Sequence, residues 1–216
     1  MSEREFIMQM QPWFGDEEKQ SLNEYMESGG FITEFKQTQV FEQLLCEYTG
    51  AEHCIVVNNG TISLSLAALA SGLVAGDEVI VPNYTMIATA NALKMFGIEP
   101  VFVDVEPETL CLDIDEVCQA ITAKTKAVML MSANGRYPAV GIEAFETLAM
   151  QRDLILLEDA AQSLGSFYPD GRHIGLAGLA GSFSFSASKI ISTGQGGCVV
   201  TNDATFADKV RKLKDF

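Results

Sequence analysis

The chain has 216 residues, 48% hydrophobic and 20% charged, enough apolar material for a substantial core and too little charge for a disordered chain. Asp and Glu outnumber Lys and Arg by 29 to 14, and the net charge of -15 opposes general binding to nucleic acid. A local anion site stays open, because a helix N-terminus holds phosphate through backbone N–H groups without net positive charge.

The cysteines are Cys46, Cys54, Cys111, Cys118 and Cys198. No pair has C-x-x-C spacing, and His53 and His173 complete no zinc set with them. They read as free thiols of a reducing compartment, so no metal is expected. The segment from Met1 to Phe14 mixes polar and apolar residues and lacks the apolar run of a secretory signal. No stretch reaches the ~18 apolar residues that span a bilayer. The expectation is a soluble cytoplasmic protein with neither a membrane nor a nucleic-acid partner.

In chain order, Asp16 to Ser28 reads as an exposed helix stopped by Gly29 and Gly30. Residues 1–30 are taken as an N-terminal helical segment and 31–216 as one large domain. A second helix runs from about Glu34 to Tyr48, with Phe35, Val40, Phe41, Leu44 and Leu45 near helical spacing. Then strand-like and helix-like segments alternate. Cys54 to Val57 leads to a helix over Ile62 to Ala70, and Glu78 to Val81 to a helix ending near Phe96. Pro100 to Val103 precedes a helix over Ile114 to Ala120. Ala127 to Met131 precedes one over Ile142 to Gln151, and Leu154 to Leu157 follows. This rhythm predicts parallel βαβ units with helices on both faces of the sheet. After Asp159 glycines crowd the chain, and Ser182 to Ser186 alternates with period two. Cys198 to Thr201 is a last strand, and a basic helix starting at Asn202 and Asp203 reaches Phe216 without a stop signal.

In such sheets ligands bind beyond the carboxyl ends of the strands. Four strand ends here carry polar groups. Asn59-Gly60-Thr61 opens a helix, as a plain N-cap turn or as a phosphate cradle. Thr85 follows the second strand, as a cap or a ligand contact. Asp159 ends an apolar run, as a cap for Ala160 to Gln162 or as a partner for a cationic ring nitrogen or a metal. Lys189 follows the Ser-Phe-Ser alternation and precedes Gly194-Gln195-Gly196-Gly197, as a solvated lysine or a Schiff-base lysine. In this order the set supplies what pyridoxal phosphate needs: a lysine, an acid for the pyridine nitrogen and a phosphate cradle.

From about Gly29 to Phe216 the chain resembles the sugar-nucleotide aminotransferases of the DegT/DnrJ/EryC1/StrS family. Besides the residues above, Gly76 to Pro82, Pro100 to Asp104, Glu158 to Gln162 and Phe183 to Phe185 carry the likeness. The resemblance implies the large domain of a fold-type I transferase, an α/β fold with a mostly parallel sheet between helices, and pyridoxal 5'-phosphate as cofactor. It implies that Lys189 bonds the cofactor and shuttles a proton, that Asp159 pairs with the pyridine nitrogen and that Gln162 bonds the ring-hydroxyl side. Gly60, Thr61 and Ser184 then bind the phosphate, and Met86 stands where the family stacks an aromatic ring on the cofactor. Lysine at 189 points to transamination, since the related sugar dehydratases carry histidine there. The segment Ile191 to Gly197 is similar to that of perosamine synthetases, which aminate a GDP-linked keto-deoxy sugar. The implied reaction makes a 4-amino sugar for surface polysaccharide, with glutamate as amino donor, in a homodimer whose partner completes the site.

Two further departures accompany Met86. Ser132-Ala133-Asn134-Gly135 replaces a histidine-containing segment of the family, and the family's small C-terminal domain is absent from these 216 residues. Association, with itself or with a missing half, is therefore expected. Two other functions compete: a non-catalytic binding module on the same fold, and a dinucleotide-dependent oxidoreductase. The second lacks a G-x-G-x-x-G after its first strand.

Overall fold

The computed structural model describes residues 6–8, 12–31, 33 and 35–214. Met1 to Glu5, Glu34 at the expected start of the second helix and Phe216 at the expected end of the last helix lie outside them. Seven strands form one sheet: β1 (His53–Val57), β2 (Glu78–Pro82), β3 (Glu99–Val103), β4 (Thr125–Met131), β5 (Ile155–Asp159), β6 (Ala180–Ser184) and β7 (Gly197–Thr201). The helices are α1 (Asp16–Glu27), α2 (Lys36–Thr49), α3 (Gly60–Ala70), α4 (Ile87–Lys94), α5 (Ile114–Ala120), α6 (Ile142–Arg152) and α7 (Ala204–Lys214).

The strand order is β1-β7-β6-β5-β4-β2-β3. Strand β7 runs antiparallel to β1 and β6, and every other pairing is parallel. The expected mostly parallel α/β sheet is what forms. The reversal of β7 follows from its connection. Residues 185–196 return from β6 as a loop, whereas a parallel neighbour needs a longer crossover.

Strand residues alternate between two cores. Val79, Val81, Ala127, Met129 and Val199 face α3, α4 and α7. Ile80, Val128, Leu130, Cys198 and Val200 face α2, α5 and α6. Both faces are covered, which is why the strands read as unbroken apolar runs.

Strand β6 starts and stops two residues earlier than the serine alternation suggests. Beyond Ser184 the pairing changes. The Phe185 N–H donates to the Gly196 carbonyl at 2.8 Å, and the Thr193 N–H donates to that of Phe185 at 3.0 Å. These bonds close the base of the lysine loop. The two-sided alternation survives: Phe183 and Phe185 enter the core, while Ser184 and Ser186 line a cleft.

The crossover from β5 to β6 contains no helix over residues 160–179. Glu158 organises it instead. Its buried carboxylate accepts from the N–H groups of Gly175 (2.9 Å), Ala177 (2.6 Å) and Gly178 (2.8 Å) and from the Tyr168 hydroxyl (2.6 Å). Four donors around one carboxylate replace the internal hydrogen bonds that a crossover helix would have made.

Candidate active site

The cleft lies at the carboxyl ends of the parallel strands. Register brings its parts together: Val57 of β1 pairs with Gly197 of β7, and Gly197 pairs with Ser184 of β6. The Asn59-Gly60 turn then folds over this row. A Cβ on Gly197 would lie 2.5 Å from the Asn59 carbonyl carbon, and one on Gly60 would lie 2.8 Å from the Ser184 Cβ. Both glycines are required by this close approach.

Asn59 caps α3, its Oδ1 accepting from the Ile62 N–H at 2.9 Å. The Ser63 N–H donates to the Asn59 carbonyl. Among the described residues, the N–H groups of Gly60 and Thr61 have no acceptor. Two open amides at the positive end of a helix, beside the Ser184 hydroxyl, fit a phosphate dianion. The turn is an N-cap, and its open amides leave the cradle reading of Asn59-Gly60-Thr61 compatible with that role.

Asp159 closes β5 and is 4% exposed. Its Oδ2 accepts from the Thr89 hydroxyl at 2.6 Å, and its Oδ1 accepts from the Ala161 N–H at 3.2 Å. No helix follows for it to cap; the Ala161 contact closes a turn. Burial pushes the Asp159 carboxyl above its ordinary value, and the Thr89 bond, the Ala161 bond and the charge of Lys189 pull it back. A buried carboxylate so placed favours a cation laid against it.

Lys189 is half-buried on the loop between β6 and β7, its N–H donating to the Ser186 carbonyl at 2.9 Å. Gln162 is oriented from across the cleft. Its Oε1 accepts from the Asn134 N–H at 2.8 Å, where Asn134 holds φ 51. Gln162 also lines the cleft. Met86, the residue before α4, is 64% exposed. Gly60, Thr61, Met86, Asp159, Gln162, Ser184 and Lys189 all line this single cleft of about 210 Å³. The sequence reading missed Thr89 and the Asn134 amide. Thr89 is a polar residue fully buried on α4, and burial of that kind requires a partner.

The chain belongs to the DegT/DnrJ/EryC1/StrS aminotransferase family, whose sequence model matches residues 12–216. It is 40% identical over 209 residues to the GDP-perosamine synthase of Escherichia coli O157:H7, covering 97% of this chain and 57% of that one. The aminotransferase TlmJ from Streptoalloteichus hindustanus superposes with a TM-score of 0.89 at 35% identity, over 96% of this chain and 56% of that one. A GDP-4-keto-6-deoxymannose-3-dehydratase holding a trapped PLP-glutamate geminal diamine superposes with a TM-score of 0.86 at 28% identity, over 94% and 53%. The chain spans about half the length of the curated relatives it matches.

The residues present fit pyridoxal phosphate. The open amides of Gly60 and Thr61 suit its phosphate, the buried carboxylate of Asp159, held by Thr89 and Ala161, suits its protonated ring nitrogen, and Lys189 reaches the same cleft. Among the described residues no helix is long and apolar enough to cross a membrane, and no cluster of His, Cys, Asp or Glu could hold a metal ion.

Proposed function

We propose that the chain serves pyridoxal-phosphate-dependent amino transfer to a nucleotide-linked keto-deoxy sugar. One observation carries the reading: Lys189, Asp159 and the open amides of Gly60 and Thr61 meet in one cleft. The bound cofactor supplies an electron-accepting ring. Asp159, whose ionised form the Thr89 and Ala161 bonds favour against burial, holds the charge of the ring nitrogen. Gly60, Thr61 and Ser184 bind the phosphate and fix the ring's reach. Gln162 donates its amide to the ring oxygen, and the Met86 thioether packs on the ring face. Lys189 holds the cofactor, and its Nζ carries the proton between donor and acceptor carbons.

The finer reading is a GDP-linked 4-keto-6-deoxy sugar, glutamate as amino donor and a 4-amino sugar for surface polysaccharide as product, in a cytoplasmic homodimer. Likeness to GDP-perosamine synthases at 36% and 40% identity supports the first part. Lysine at 189 favours transamination over dehydration. A non-catalytic binding module is the second reading, favoured by Met86, which leaves the ring face without an aromatic partner. Adding pyridoxal phosphate to the purified chain should give a visible absorption band that is absent in Lys189→Ala. No band in either protein would sink the proposal. A band without amino transfer from glutamate to any keto-sugar nucleotide would favour the module.

A further inference from the structure

A second cleft adjoins the first, with a volume of about 560 Å³. Pro12, Trp13, Phe14 and Glu18 form one wall, and residues 187–192 form the other. The lysine loop therefore separates two compartments. The inner one is the cofactor cleft, and the roles assigned above leave the outer one unused.

The chemistry of the outer cleft is narrow. Trp13 is 81% exposed and Phe14 52%. Flat aromatic surface left in water beside a reactive lysine suits stacking on another flat ring. Lys189 is the one cation among the residues that line it, so little there neutralises a phosphate. The compartment suits the uncharged ring of a nucleotide. Glu18 then sets which ring. It is half-buried, and its Oε2 accepts from the Gly15 N–H at 2.6 Å. A carboxylate has about four lone-pair sites, so most of its acceptor capacity remains for a ligand. It attracts a ring edge with adjacent N–H donors and repels one lined with carbonyls. Guanine presents two neighbouring donors, the ring N–H and the exocyclic amino group. Uracil and thymine present one N–H between two carbonyls.

We infer that Trp13 and Glu18 form the base-recognition site for the substrate's nucleotide and select guanine. This rests on the GDP-linked sugar reading above and adds to it the residues that read the base.

Trp13 is the only tryptophan of the chain, so its emission, excited where nucleotides do not absorb, reports this cleft alone. Without pyridoxal phosphate, GDP should quench it saturably, with UDP and dTDP binding about tenfold more weakly or worse. Glu18→Gln keeps a carbonyl oxygen for the Gly15 N–H but turns a donor toward the ligand. It should weaken GDP about tenfold while leaving the circular dichroism spectrum and the UDP response unchanged. Calorimetry with Trp13→Ala should show a comparable loss. Equal affinity for GDP and UDP, indifference to Glu18→Gln, or equal quenching by pyrophosphate alone would each overturn the inference. The absorption band at Lys189 is read separately. If it forms without GDP quenching, the base site fails alone; if GDP quenches and no band forms, the aminotransferase reading fails alone.

Discussion

Thr89 lies buried in α4 so that another residue can keep its charge. Its hydroxyl donates to Asp159 and sits 2.7 Å from the Thr85 hydroxyl. In Thr89→Val, Asp159 Oδ2 loses its side-chain donor. Hydrogen bonds to charged groups contribute about 1.5–3 kcal/mol, so pyridoxal phosphate should bind at least about tenfold more weakly. The sign of the pH effect follows. Burial already raises the Asp159 carboxyl, and the bond to Thr89 lowers it. Without that bond the carboxyl rises further and takes a proton at higher pH. Cofactor affinity, which needs the carboxylate, should then be lost at a higher pH as the solution is acidified; a titration of the visible band at several pH values reads this directly. The proposed packing of Met86 on the cofactor ring has its own test. Met86→Tyr should tighten cofactor binding roughly two- to tenfold, since an aromatic pair contributes about 0.5–1.5 kcal/mol beyond its area. An unchanged dissociation constant would show that the thioether already packs as well as a ring.

At the scale of elements, α2 carries two stripes. Phe41 and Leu45 pack inward, Phe41 edge-on to Phe185 at the base of the lysine loop with ring centroids 5.2 Å apart. Val40, Leu44 and Tyr48, each four residues apart, stay more than half exposed. Phe41→Ala should cost about 3–5 kcal/mol or less, depending on how far the site collapses, and should loosen the lysine loop as well. Denaturant midpoints and the intensity of the visible band measure the two effects. This division was only partly legible in the sequence, where all five apolar residues of the second helix read as one set. The strands and their order of appearance were legible because apolar runs covered on both faces leave an unbroken pattern. Asp159 was legible because it ends an apolar run with a charge at a strand end, and Lys189 because it follows the Ser-Phe-Ser alternation and precedes a glycine-rich stretch. Thr89 and Asn134 were not, since their partners lie 70 and 28 residues away, and nothing local marks such contacts. The reversal of β7 was equally hidden: strand direction depends on whether the preceding loop returns or crosses over, and the glycine-rich stretch suits either.

For the whole molecule, the exposed stripe of α2 predicts association. Leu44→Glu should reduce the apparent mass in light scattering while leaving the thermal midpoint nearly unchanged; a wild-type chain that scatters as a monomer would contradict this. Acid should weaken the fold through His173. Its Nε2 accepts from the Gly165 N–H at 2.8 Å, so Nδ1 carries the proton and donates to the Ile174 carbonyl at 2.6 Å. Phe167, Phe183 and Tyr48 meet the ring edge-on. Burial holds its pKa below the ordinary 6.5. The unfolded chain therefore binds the proton more readily, and stability falls as pH drops through about 6.5. Urea midpoints at about pH 7.5 and about pH 5.5 should differ less in His173→Gln than in the wild type. The carboxylate of Glu158 has a consequence in time. Gly175, Ala177 and Gly178 all donate to it, and a single side chain cannot release one amide without disturbing the rest. These three amides should exchange with deuterated water as a group, at one shared and slow rate, whereas the amides of Gly60 and Thr61 exchange freely until a ligand arrives.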